Sequence, residues 1–126
     1  QTTDKQINNS GAHKLIFASN VNEAMSLAKY DIANGTPFLL LQSGISPVVY
    51  STNSVFENKY SVSYLEFGCT GPDNKIASAY DNIIFEYLYK KYGQRWKRKI
   101  RKDVIGYKVW KQNKQTNKNI QQNKIN

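Results

Sequence analysis

The sequence predicts an α+β fold: a single small domain with a mixed sheet of about four strands, one helix after the first strand and two long helices at the C-terminal end. Three observations carry this expectation. Phe38-Leu39-Leu40-Leu41 is a continuous apolar run without polar alternation, the pattern of a strand covered on both faces. Apolar residues recur at helical spacing over about 21–33, 75–92 and 94–109. At 126 residues and 40% hydrophobic content, the chain is long enough to bury one core without disulfides or a metal.

Taken in order, residues 1–12 are polar and aperiodic and are expected to be a flexible lead-in to a domain over 13–110. Lys14-Leu15-Ile16-Phe17-Ala18 is short, apolar and bounded by polar residues, which predicts the first strand. Ser19 and Asn20 offer caps to a helix over 21–33, with Glu23 as the reciprocal half of a capping box. Val21, Met25, Leu27, Ala28 and Ile32 form its apolar stripe, and Asn34-Gly35 ends it. Phe38–Leu41 is the central strand. Ser43-Gly44-Ile45-Ser46-Pro47 is turn chemistry before Val48-Val49-Tyr50, so these segments are expected to pair as a hairpin.

One or two helical turns are expected over 53–60, then a strand through Val62, Tyr64, Leu65 and Phe67. The loop Cys69-Thr70-Gly71-Pro72-Asp73-Asn74 leads into a helix over about 75–92. Tyr80, Ile83, Ile84, Tyr87 and Leu88 make its stripe, and Gly93 sits at its C-cap. A last helix over about 94–109 places Trp96, Ile100, Val104 and Tyr107 on one face. From 111 to 126 the Lys, Asn and Gln content is too polar to offset the entropy of ordering, so a disordered tail is expected.

Charge divides the chain sharply. Residues 1–87 hold 5 Lys against 8 acidic residues, a net of −3, whereas residues 88–126 hold 13 Lys and Arg against Asp103 alone, a net of +12. A regional excess attracts an anionic surface better than the same charge spread evenly. The densest part, Arg95, Lys97, Arg98, Arg101 and Lys102, is the candidate site for an anion or a partner. In a helix those cations occupy the faces that Trp96, Ile100 and Val104 leave open. The same layout also fits a core-facing helix with a solvated outer side.

Two stretches resemble a known family. Phe56-Glu57-Asn58-Lys59-Tyr60 with Tyr64-Leu65-Glu66-Phe67-Gly68-Cys69, and Tyr89-Lys90-Lys91-Tyr92-Gly93 with Trp96 and Ile100-Arg101-Lys102-Asp103-Val104-Ile105-Gly106, are similar to the FEKKY-type domain of uncharacterised Bacteroidetes envelope proteins. The likeness spans roughly residues 14–110, with Asn58 in place of the Lys of the name motif. It implies a bacterial, exported origin and carries over no catalytic residue. Gln1 in the place of an initiator Met fits removal of a targeting segment, and hence a periplasmic or outer-envelope setting.

Other chemistry is poorly supplied. Cys69 lies between an expected strand and an expected helix, where open α/β sheets place a ligand crevice, so a thiol-dependent or redox-sensitive protein is the alternative reading. No second Cys forms a redox pair, and the one histidine, His13, falls in the lead-in. One His and one Cys leave no zinc pattern, and Gly44 and Gly71 stand alone, so no metal or cofactor signature is present. No apolar run reaches the roughly 18 residues a membrane span needs. The expectation is a non-enzymatic binding module whose partner is an anionic envelope component or a protein. Nucleic acid is a less favoured partner, relevant to a cytoplasmic chain and held through phosphate contacts.

Overall fold

The computed structural model describes residues 3–42, 50–68 and 70–125, and their side chains as far as Thr116. Helix α1 (Asp4–Asn8) opens the described chain, capped reciprocally by Thr3 and Gln6. A 3-10 turn, Ala12–Phe17, follows, then α2 (Val21–Ala33), β1 (Phe38–Leu41), α3 (Asn53–Tyr60), β2 (Ser63–Glu66) and α4 (Asn74–Tyr92). A second 3-10 turn, Arg95–Arg98, leads by an irregular segment to α5 (Tyr107–Ile125). The polar lead-in is therefore partly helical, and Ser10, Gly11 and Ala12 are buried.

The expectation of a mixed sheet of about four strands is overturned. The described residues are mostly helical and hold two strands, β1 and β2, which pair in parallel with Phe38 opposite Ser63 and Leu41 opposite Glu66. Four-residue strands in a pair are marginal by themselves. Here β1 is buried at every residue and α4 packs against it. The hairpin expected from Ser43 to Val49 lies outside the described residues.

The missing strands have a physical explanation in the outer edge of β1. Phe38 N–H donates to the Tyr80 hydroxyl at 3.3 Å, and Leu40 N–H donates to the Asp81 carboxylate at 3.0 Å. The Leu40 carbonyl accepts from Ile105 N–H at 3.0 Å. Two α4 side chains and one loop amide thus satisfy groups that a neighbouring strand would otherwise pair. On the other side, the Glu57 carboxylate accepts Tyr64 N–H of β2 at 2.8 Å.

The strand expected over Lys14–Ala18 is the first 3-10 turn, for a related reason. Asp31 of α2, fully buried, accepts Gly11 N–H at 2.6 Å, Ala12 N–H at 2.9 Å and the Tyr80 hydroxyl at 2.6 Å. The turn is capped by a residue about twenty positions away, which no local apolar pattern reports. A Cβ on Gly11 would lie 2.4 Å from the Leu27 carbonyl oxygen, so only glycine admits this approach of the turn to α2.

Helix α2 covers the expected span, with the Asn20 side chain accepting Glu23 N–H at 2.9 Å. Its buried line is Ala24, Ala28 and Asp31, while Val21 of the expected stripe is exposed. The small alanines let α2 lie close along α4.

The helix expected over 94–109 is broken into a turn and the start of another helix. Trp96 is fully buried, and its indole N–H donates to the Gly93 carbonyl at 2.9 Å, which ends regular structure soon after α4. The Ile105 bond to Leu40 then draws residues 99–106 to the edge of β1. Gly106, at φ +82° and packed on Ser78, starts the chain in a new direction. Helix α5 follows and runs to Ile125, through the segment read as a disordered tail.

Candidate functional site

The basic surface is organised by an aromatic cluster on α4, the second 3-10 turn and α5. Phe85 stacks on Trp96 with centroids 6.1 Å apart and meets Trp110 at 5.4 Å, and Tyr107 packs edge-on against Phe85 at 5.7 Å. Ile100 and Val104 are buried beside them. The core-facing role that the sequence allowed for Trp96, Ile100 and Val104 is the one they take. With Trp96 pinned inside, Arg95 and Arg98 are carried on the outside of the turn, both exposed.

Four lysines converge above this cluster. Lys97 Nζ lies 5.2 Å from the ring centroids of both Tyr89 and Trp110. Lys114 Nζ, from α5, lies 5.1 Å and 5.8 Å from the same two rings. Lys102 Nζ donates to the Lys97 carbonyl and sits 5.3 Å from the Tyr107 ring. Partial burial, and then the neighbouring Lys111 charge, lower the pKa of Lys102.

The acids nearby are already engaged. Glu86 accepts from Lys114 at 2.9 Å and from the Trp110 indole N–H at 2.6 Å. Asp103 holds Arg101. Among the described residues, no ion pair neutralises Arg95, Arg98, Lys99, Lys108 or Lys111, all of them exposed. This is a surface of unbalanced positive charge, anchored at several points by rings and backbone.

Arg101 does not join it. The residue is buried, with Nη2 2.6 Å from Asp103 Oδ2 and Nε 3.0 Å from Asp103 Oδ1. Its guanidinium lies 4.8 Å from the Tyr50 centroid and 5.8 Å from that of Tyr64. Its own N–H donates to the Tyr64 hydroxyl at 3.0 Å, and burial pushes that phenol up to about 12. Arg101 therefore ties the segment after the second turn to β2.

Of the five cations singled out in the sequence, Arg95, Lys97, Arg98 and Lys102 lie on this surface and Arg101 belongs to the fold. Sequence reasoning missed Lys111 and Lys114, since it stopped the last helix near 109, and it left Lys108 out of the cluster that it singled out. The spacing of Tyr107, Trp110 and Lys114, at i, i+3 and i+7, was the available signal. Cys69, the candidate thiol, lies outside the described residues. Among the described residues no group of three or more His, Cys, Asp and Glu is placed to hold a metal. None of the described helices is long and apolar enough to cross a membrane.

No protein-family model, no curated protein and no solved structure matches the chain.

Proposed function

We propose that this chain is a non-enzymatic interaction module that holds an anionic partner on the surface formed by the second 3-10 turn and the first two turns of α5. The observation that supports this reading is the convergence of Lys97, Lys102, Lys111 and Lys114, drawn from the second 3-10 turn, the segment after it and α5, with Glu86 taken by Lys114 and Asp103 by Arg101. Gathering like charges costs free energy in the free protein, and an anion that settles among them relieves that repulsion. The Tyr89 and Trp110 faces are occupied by lysines, so contacts would be made by charge rather than by stacking.

The resemblance to exported envelope domains gives this reading its setting, in which the partner is an acidic envelope polymer, an anionic lipid surface or an acidic protein. The test is co-sedimentation with anionic vesicles and titration with acidic polymers across a salt series. Binding should be strongest at low salt and fall as the charges are screened. Absence of binding at low salt to every anionic probe would overturn it.

A further inference from the structure

Exposed apolar side chains are gathered at the margin of the molecule away from the basic surface. Helix α4 lies between α2 and α5: its Asn74, Ser78 and Asn82 line one groove shared with Val21 and Met25 and another shared with Val109 and Trp110. The first 3-10 turn packs on α2, so that turn and α2 form the far edge. Phe17 there is 84% exposed, Ile16 53%, Tyr30 50% and Val21 42%. Val21 faces the groove toward α4, so three of the seven large apolar side chains exposed among the described residues, Ile16, Phe17 and Tyr30, are left for the outer side of this pair of elements. Scattered surface apolar residues are ordinary, but an aromatic held out almost completely beside its neighbour Ile16 and Tyr30 is the mark of a contact surface.

The patch encloses a groove of about 640 Å³ whose apolar lining includes Phe17, Leu27 and Tyr30. Its charged lining residues are Lys14 and Glu23. Lys14 Nζ is 5.8 Å from the Tyr30 ring, and Glu23 accepts from the backbone N–H and hydroxyl of Ser19. Neither Lys14 nor Glu23 takes part in an ion pair within the chain among the described residues. One cation and one anion around an apolar centre make the face complementary to itself. A two-fold axis sets residue i against j and j against i, so it would bring Lys14 of one copy to Glu23 of the other.

We propose that this face joins two copies of the chain about a two-fold axis, the Phe17 of each seated in the other's groove and Lys14 paired with the opposite Glu23. Net charge favours this location. Two copies with a formal charge of +9 repel each other most strongly through their C-terminal surfaces, and this face is built from residues 14–30, outside the strongly basic stretch 88–126. One groove and one ion pair per copy make a contact at the small end of the range, so the association should be weak and concentration-dependent. A pair would present two basic surfaces to one polymer and gain avidity.

Sedimentation equilibrium of the full chain from low micromolar to near-millimolar concentration tests this. The apparent mass should climb from 14.5 kDa toward twice that value. Phe17→Glu and Lys14→Glu, both at exposed positions outside the core, should return it to one chain, and adding Glu23→Lys to Lys14→Glu should restore the pair. Circular dichroism of each variant checks that α2 survives loss of the Ser19 contact. A mass that stays at one chain throughout, or a dimer indifferent to Phe17→Glu, would overturn the proposal. A dimer lost in Phe17→Glu but unmoved by charge reversal would overturn the two-fold pairing.

Discussion

The Asp81 carboxylate accepts the Leu40 backbone N–H at 3.0 Å, so a helix side chain stands where a third strand would pair with β1. Asp81 is fully buried and no cation faces it among the described residues; burial raises its pKa well above the usual carboxylate range. A carboxyl with a raised pKa in the folded state binds more protons there than in the unfolded chain. Its contribution to stability is fully present below the unfolded value and is lost as pH rises through the folded one.

Asp81→Asn should therefore melt higher than the parent at alkaline pH, with the difference shrinking as the solution is acidified. Asparagine keeps an acceptor for Leu40 N–H without the charge. Asp81→Leu, which leaves that N–H unpaired, should cost about 1–3 kcal/mol. Thermal melts of the three proteins across pH check both, and a parent–Asn difference that does not change with pH would refute the proton linkage.

Tyr80→Phe removes the hydroxyl that accepts from Phe38 and donates to Asp31. Two buried groups lose a partner, and destabilisation of about 1–3 kcal/mol is expected in urea unfolding. Asp31, whose pKa burial already raises, should titrate higher still.

Gly11→Ala should destabilise by about 1–3 kcal/mol, because the added methyl meets the Leu27 carbonyl oxygen rather than a movable side-chain tip. The backbone there has φ −63°, which alanine adopts freely, so the effect would measure the close approach alone. Chemical denaturation gives the number directly.

Arg101 and the exposed lysines should separate cleanly. Arg101→Lys forfeits the forked contact to Asp103 and stacking near Tyr50 and Tyr64, so stability should drop by about 1–2 kcal/mol while affinity for an acidic polymer at low salt holds. Lys102→Glu combined with Lys111→Glu should do the reverse, weakening that affinity on the order of tenfold and flattening its salt dependence. Parallel melts and polymer titrations distinguish the two behaviours.

Local patterns marked out much of the helical content. Asn20 before an apolar period announced α2, and Tyr80, Ile83, Ile84, Tyr87 and Leu88 announced α4, because caps and stripes are written within a few residues of the structure they make. Phe38–Leu41 was legible as a buried strand for the same reason. The number of strands was not. Lys14–Ala18 has the apolar character of a strand, and only Asp31, brought back by α2, holds it as a 3-10 turn.

The last helix was misplaced because Ile105 is committed to Leu40, some sixty-five positions earlier in the chain. The charge asymmetry showed where a binding surface would lie but not which cations would form it. Arg101 and Lys102 are adjacent in sequence, yet Asp103 and two tyrosines draw one inward while the other meets Lys97 and Lys111.

The edges of the small sheet also bear on how this protein can associate. Exposed strand edges invite further strands to add by backbone pairing, the route to β-augmentation and to amyloid templating. Here Tyr80, Asp81 and Ile105 occupy the outer groups of Phe38 and Leu40, and Glu57 occupies Tyr64 N–H on the opposite side. An incoming strand would have to displace the buried Asp81 carboxylate on one edge, or the half-buried Glu57 carboxylate on the other, before it could form its first ladder bond at those positions. Assembly through side-chain surfaces is left as the easier course, and the folded domain should resist seeding of fibrils by strand addition at this sheet.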